Sequence, residues 1–297
     1  MRIQSATDLF NDRLKILVYG QSGAGKTYLA RTIEEPTLVI SAESGLLSLS
    51  GANIDVLDIT TDDDGKLIPA ALRFSQMQKA YQYLLTEEAK QKYKWIFIDS
   101  LTEVSQNLIE SLLPEFPDRK DALVMYGENF KRMRNMIKAF RDIPHYNIVF
   151  TALAEEEKDQ NGKRYHGVSM IGKMSSQLPS FLDEVFYLHT FSDDDNVLKR
   201  RLVTQPTDKA VAKDRSGKLD KFEEANLKII ATKIKEKKDD KSIGSKSAVG
   251  VPSAASGGLP SASAGSTDDR NKGRDGQVRQ SKVPNSGGDS NRKSPVA

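Results

Sequence analysis

The sequence predicts an α/β fold, a three-layer αβα sandwich around a mostly parallel sheet. Three observations point there. Short apolar runs alternate with helix-spaced segments along most of the 297 residues. A glycine-rich stretch ending in Lys-Thr follows the first strand-like run. A later run, KWIFIDSL, is apolar throughout and ends in an acid, as expected of a strand covered on both faces.

Taken in order, LKILVYG alternates and is rich in β-formers, so it reads as a buried strand. KTYLARTIEE reads as a helix closed by Pro36. PTLVISAESG is a second strand ending at Glu43. PAALRFSQMQKAYQYLLTEEAKQKY is a helix whose apolar stripe is Leu72, Met77, Ala80, Tyr81, Leu84 and Leu85. It feeds the strand that ends at Asp99, in the manner of a right-handed crossover. TEVSQNLIESLL is a helix stopped near Pro114. YGENFKRMRNMIKAFRDI is another, with Tyr126, Phe130, Met133, Ile137 and Phe140 on one face. YNIVFTAL is a parallel strand ended by Thr151. Residues 185–205 read as an antiparallel β-hairpin turning on Asp and Asn, which extends the sheet.

Composition sets the limits. After Phe222 there is no Phe, Tyr or Trp, and from about Lys241 the chain is Ser, Gly, Ala, Pro and scattered charge. Such a segment buries too little apolar area to offset its ordering entropy. The expected organisation is therefore an N-terminal extension over 1–12, a folded domain over 13–236 and a disordered tail over 237–297. There is no cysteine, which excludes disulfides and Cys-based zinc sites. His145, His166 and His189 show no ligand spacing. No apolar run approaches a membrane span and the start lacks a signal-peptide core, so a soluble cytoplasmic protein is expected. The net charge of +3 is too small to argue nucleic-acid binding by itself.

The chemistry starts at Gly20-Gln21-Ser22-Gly23-Ala24-Gly25-Lys26-Thr27-Tyr28. Gly20, Gly25, Lys26 and Thr27 match the phosphate-loop signature in full. Glycines let backbone N–H groups converge on phosphate oxygens. Lys26 reaches the β- and γ-phosphates of ATP, and the Thr27 hydroxyl is placed to bind Mg²⁺. Asp99, at the carboxyl end of its strand, is the expected second magnesium group; its alternative, capping the next helix, is one that Ser100 or Thr102 could fill instead. The residues alone leave Glu43 open between a solvated loop side chain and a base that polarises water for attack on the γ-phosphate.

A phosphate loop, an AES strand end about 20 residues on and a later apolar strand ending in Asp resemble the layout of RecA-like P-loop NTPases. More narrowly, residues 12 to 235 resemble small phage-encoded RecA-like ATPases of the Sak type, which assist single-strand annealing and recombination. The resemblance implies that Glu43 is the catalytic base. It implies that Thr151 senses the γ-phosphate, although Gln is the better-known occupant. Lys213-Asp214-Arg215 is similar to the Lys-x-Arg element whose cations reach the neighbouring subunit's γ-phosphate, with Asp where Asn is better known. A Lys and an Arg two apart in extended backbone do point the same way; an ordinary basic loop is the other reading. The trans element implies a homo-oligomer, ring or filament.

The family's DNA-binding loops correspond here to residues 114–129 and 155–174. The second carries Lys158, Lys163, Arg164, Tyr165, His166 and Lys173 beside the acidic AEEEKD, cations and an aromatic suited to single-stranded DNA. The tail reads as a tether, with a basic arm or a docking peptide for a single-strand-binding protein as alternatives. The leading function is an ATP-driven single-stranded-DNA recombination or annealing factor. The competing one is an ATP-dependent switch or loader with little DNA affinity; a replication helicase motor ranks below both.

Overall fold

A computed structural model describes residues 13–43, 45–158 and 160–236. The chain divides into two units, Met1–Asp239 and Asp240–Ala297, and every described residue belongs to the first. The expected N-terminal extension and tail lie outside the described residues.

The strands are β1 (Lys15–Gly20), β2 (Thr37–Ser41), β3 (Asp55–Asp58), β4 (Trp95–Asp99), β5 (Asn147–Lys158), β6 (Arg164–Val168), β7 (Glu184–Ser192), β8 (Leu198–Val203), β9 (Lys213–Asp214) and β10 (Phe222–Glu224). They form one ten-stranded sheet in the order β10-β8-β7-β1-β5-β4-β2-β3, with β6 paired to β5 and β9 to β7. From β7 to β3 the neighbours are parallel; β6, β8, β9 and β10 run antiparallel to their partners. The expected α/β class, mostly parallel sheet and antiparallel 185–205 hairpin are all present.

The helices are α1 (Ala70–Leu84), α2 (Glu87–Lys92), α3 (Leu101–Leu112), α4 (Ala122–Arg141), α5 (Met174–Phe181) and α6 (Leu227–Lys235). The two outer layers are unequal. One face of the sheet is covered by α1, α3, α4 and α5, through side chains such as Met77, Leu108, Ile137 and Leu178. The other is covered by Leu29 and Ala30 of a short 3-10 segment together with Leu227, Ile230 and Ile234 of α6. β4 explains why its sequence is apolar throughout: Ile96 and Ile98 enter the first core, Trp95 and Phe97 the second.

Several local expectations change. The segment after the phosphate loop is a 3-10 helix over Thr27–Thr32, not an α-helix. Thr27, Tyr28 and Thr32 are weak helix formers, and the Leu227 N–H bonds the Thr32 hydroxyl at 2.9 Å, tying the segment's end to α6. The expected single helix over 69–93 breaks into α1 and α2, where the Thr86 hydroxyl caps α2 at the Ala89 N–H. Its core stripe is Phe74, Met77, Ala80 and Leu84; Leu72 is more than half exposed. β5 does not end at Thr151 but runs on to Lys158, because β6 folds back on it from Ala154 onward. Much of the expected second DNA loop is therefore a two-stranded ribbon, and the end of the first, from Ala122, is the start of α4.

Candidate functional site

Parallel β1, β2 and β4 deliver their carboxyl ends to one edge of the sheet, and the loop residues gather there. β5 stands between β1 and β4, so Gly20 and Asp99 are about 10 Å apart by strand spacing. The phosphate loop closes that gap by arching over β5. Gly23 and Gly25 take φ of 73° and 99°, a region closed to most side chains. Gly20 meets a different constraint: a Cβ there would lie 2.8 Å from the Leu188 carbonyl oxygen of β7.

Beyond the arch, the Thr27 hydroxyl donates to Asp99 Oδ2 at 2.6 Å. The other carboxylate oxygen, Oδ1, accepts from the Thr151 hydroxyl. Each Asp99 oxygen is thus held by one threonine, and the group is 2% exposed. Ser100 opens α3, its hydroxyl accepting from the Glu103 N–H, which leaves Asp99 free of capping duty. The same Ser100 hydroxyl donates to Glu43 Oε1. Glu43 is thereby tied to the residue next to Asp99.

Lys26 is 7% exposed and donates to the carbonyls of Gly20 at 3.1 Å and Gln21 at 3.0 Å. Burial pulls its pKa down, while Asp99 and Glu43 pull it up. Both carboxylates therefore act on the ammonium electrostatically. Glu103 adds a third acid: burial first, and then Glu43, raise its pKa. The donor set of hydroxyl and carboxylate oxygens suits a hard divalent cation such as Mg²⁺. Among the described residues no three His, Cys, Asp or Glu side chains cluster as a metal site. A cation on Thr27 and Asp99 would complete its shell with phosphate oxygens and water, as Mg²⁺ does.

A family profile described as AAA domain matches residues 12–216. The chain belongs to the AAA-domain family. It is a nucleotide-binding ATPase domain of that family, with its phosphate loop at the carboxyl edge of β1. A curated relative called nucleotide-binding protein, from Clostridium beijerinckii, is 26% identical over 147 residues, 45% of this chain and 48% of the relative. The chain thus spans about half the length of that relative. Among solved structures, an ATPase from the type III secretion system of pathogenic bacteria is 18% identical, with 59% of this chain and 52% of that chain covered and a TM-score of 0.40. A KaiC-like protein from Pyrococcus horikoshii is 13% identical, with 64% and 78% covered and a TM-score of 0.39.

The AAA domain gathers Lys26, Thr27, Glu43, Asp99 and Thr151. Thr151 is fully buried and interior to β5, and its hydroxyl is spent on Asp99. In that position it orients the Asp99 carboxylate. Tyr28 stands half exposed with the Arg31 guanidinium over its ring.

Lys213 and Arg215 are not brought to the loop. Lys213 and Asp214 pair with Val185 and Glu184, level with Ile16 at the opening of β1. Leu188, beside Gly20, is four residues further along β7, about 13 Å away. Lys213 Nζ donates to the carbonyls of Pro179, at 3.1 Å, and Leu182. Arg215 pairs with Asp183, its side chain 60% exposed.

The cation that does reach the phosphate loop is one the sequence did not single out. Arg200 on β8 donates from Nε to the Ala24 carbonyl at 2.9 Å, and a Cβ on Gly25 would stand 3.0 Å from the same nitrogen. Nothing in NVLKRRLVT marks the first arginine over the second; the contact joins residues 176 positions apart.

Proposed function

We propose that this AAA domain hydrolyses ATP with Mg²⁺ and acts on single-stranded DNA as a homo-oligomeric recombination or annealing factor. The observation that carries the hydrolysis reading is the Thr27–Asp99 bond beside Lys26, with Glu43 held one residue away through Ser100. Lys26 exchanges its two loop carbonyls for β- and γ-phosphate oxygens. Thr27 and Asp99 would hold Mg²⁺, which would supply charge neutralisation at the phosphates when bound. Thr151 fixes the Asp99 carboxylate so that Oδ2 keeps facing Thr27. Glu43 accepts the proton of the attacking water and releases it to solvent.

Arg215 supports an assembled site. It lies at the sheet end away from its own phosphate loop, so the phosphate it could touch is a neighbouring subunit's. Lys213 has another task, satisfying the carbonyls that close α5. The resemblance to the phage Sak-type group supports single-stranded DNA and a single-strand-binding protein as partners.

A specific observation favours the second reading, an ATP-dependent switch with little DNA affinity. Two ribbon cations are already neutralised: Arg164 by Glu156 at 2.7 Å and Lys163 by Asp208 at 2.8 Å. ATP turnover with and without single-stranded DNA separates the two. Stimulation, abolished in Glu43→Gln while nucleotide binding persists, supports the recombination factor. Turnover indifferent to DNA, with no gel shift at low salt, leaves the switch.

A further inference from the structure

On the face of β7 away from Arg200, aromatic rings form a row. Tyr187, His189 and Phe191 alternate along the strand and so share one face. His166 of β6 stacks on Tyr187 at 5.0 Å and 16°, Tyr187 on His189 at 5.9 Å, and His189 on Phe191 at 5.8 Å and 19°. The Arg201 guanidinium sits between two rings, 4.7 Å from Phe191 and 4.1 Å from Phe222. Beside this row lies a cavity of about 300 Å³, whose lining includes His166, Tyr187, His189, Arg201, Lys221 and Phe222.

Three features fit the cavity to a planar heterocycle on an anionic chain. Four of its lining side chains, His166, Tyr187, His189 and Phe222, are rings, and Phe222 is 44% exposed. Its fixed charge is mostly positive, from Arg201, Lys209 and Lys221; Asp208, the carboxylate in the lining, is paired with Lys163. It also holds ring nitrogens suited to base edges. Arg201 Nε donates to His189 Nδ1 at 3.3 Å, so Nδ1 accepts and the neutral ring carries its proton at Nε2. Burial first, and then Arg201, lower the His189 pKa in keeping with that neutral form. His166 Nδ1 is buried with no hydrogen-bond partner among the described residues.

We propose that this ring-lined cavity over β7, β8 and β10 is a docking site for a base of single-stranded nucleic acid, the neighbouring lysines taking the phosphodiester. This rests on the DNA reading and moves the contact from the surface loops to the sheet face. Stacking on aromatic side chains is tolerant of base identity, and lysine contacts to phosphate make binding fall with salt. The site is also joined to the phosphate loop by two short routes. Leu188, between Tyr187 and His189, packs its backbone against Gly20. Arg200 and Arg201, adjacent on β8, serve opposite faces: one holds Ala24, the other the rings.

The test uses the full chain and a fluorescein-labelled oligothymidylate, with an abasic phosphodiester of equal length as control, both followed by anisotropy at low salt. The wild type is expected to prefer the oligothymidylate. Phe222→Ala and Arg201→Lys are each expected to weaken it by about ten-fold while the abasic chain binds as before; circular dichroism verifies that both variants fold. Wild-type affinity in both variants overturns this site and leaves the DNA reading standing. A wild type that binds neither chain overturns both. Loss of affinity for a fluorescent ATP analogue in both variants, with oligothymidylate binding intact, assigns the cavity to the base of ATP and overturns the proposal.

Discussion

The two ends of β1 each bury a lysine, and they are built for opposite purposes. At the opening end, Lys15 is 5% exposed and donates to the carbonyls of Ile143 and Tyr146, both at 2.8 Å. At the closing end, Lys26 is 7% exposed and donates to Gly20 and Gln21. By burial and by partners they look alike. The surroundings differ. Lys15's partners follow α4 and lie against the sheet, and nearby Lys213 and Arg215 are spent on Pro179, Leu182 and Asp183. Lys26's partners belong to a loop whose glycines hold positive φ, and Asp99 and Glu43 face it. A buried lysine on carbonyls is a structural fastener unless the carbonyls sit on a backbone shaped for an anion.

Removing the loop lysine is the sharpest way to break that contrast. Lys26→Ala is expected to take ATP hydrolysis below detection with the fold intact by circular dichroism, since the change removes both phosphate binding and transition-state charge. Lys26→Ala with undiminished turnover would erase the distinction between the two ends.

Next comes the pair at the opening end. Arg215→Ala is expected to lower turnover of the assembled protein by on the order of 10³-fold, the low end for a cation supplied across an interface, with little change in Tm. Lys213→Ala should instead cost stability, about 1–2 kcal/mol, for carbonyls left without a donor. Mixing Arg215→Ala with Lys26→Ala subunits should restore part of the activity, since each supplies what the other lacks. Mixtures as inactive as their parts would remove Arg215 from the chemistry.

Arg200 sharpens the closing end. Arg200→Ala is expected to raise KM for ATP and lower kcat, together by roughly ten-fold, as the Ala24–Gly25 backbone loses its brace. Arg200→Lys should recover part of it, because an ammonium can still reach one carbonyl. Steady-state kinetics on both variants decide it, and an unchanged Arg200→Ala enzyme would show that the loop holds itself.

The smallest effect concerns pH. Glu184 lies at the opening end, and burial, then the Asp214 carboxylate, push it from 4.5 up to about 8. Between those values the unfolded chain has released a proton that the folded chain keeps, so this group makes stability fall as pH rises through that window. Glu184→Gln should raise Tm by a few degrees near pH 8 and hardly at all near pH 4.5. Thermal melts across that range test the sign; an equal shift at both ends would refute it.

Much of this was legible in the residues. The phosphate-loop pattern and the acid at the end of the Asp99 strand were read from spacing and strand ends, because a loop that wraps an anion must be contiguous and parallel strands must end at one edge; for Glu43 the strand end gave the position, and the resemblance gave the expected role. The αβα layering followed from apolar runs whose neighbours on both faces are helices, as Ile96 and Phe97 show on β4. The Lys213-Asp214-Arg215 match identified a pattern but not its place: two cations alternating with an acid look the same whether they face a phosphate or the end of a helix. Thr151 was placed on the right strand, but the strand's length was not legible, since it is set by β6, a pairing with no local mark.

By itself, then, the sequence determined what depends on local order: backbone freedom at Gly23 and Gly25, the run of apolar side chains behind Asp99, and the strand end that carries Glu43. Tertiary structure alone decided what depends on distant segments meeting. It put Arg200 on Ala24, Thr151 on Asp99, Lys213 under α5, and His166 of one ribbon against Tyr187 of another strand. Side-chain type fixes which bonds are possible, but only the closing of the sheet fixes which partner is within 3 Å.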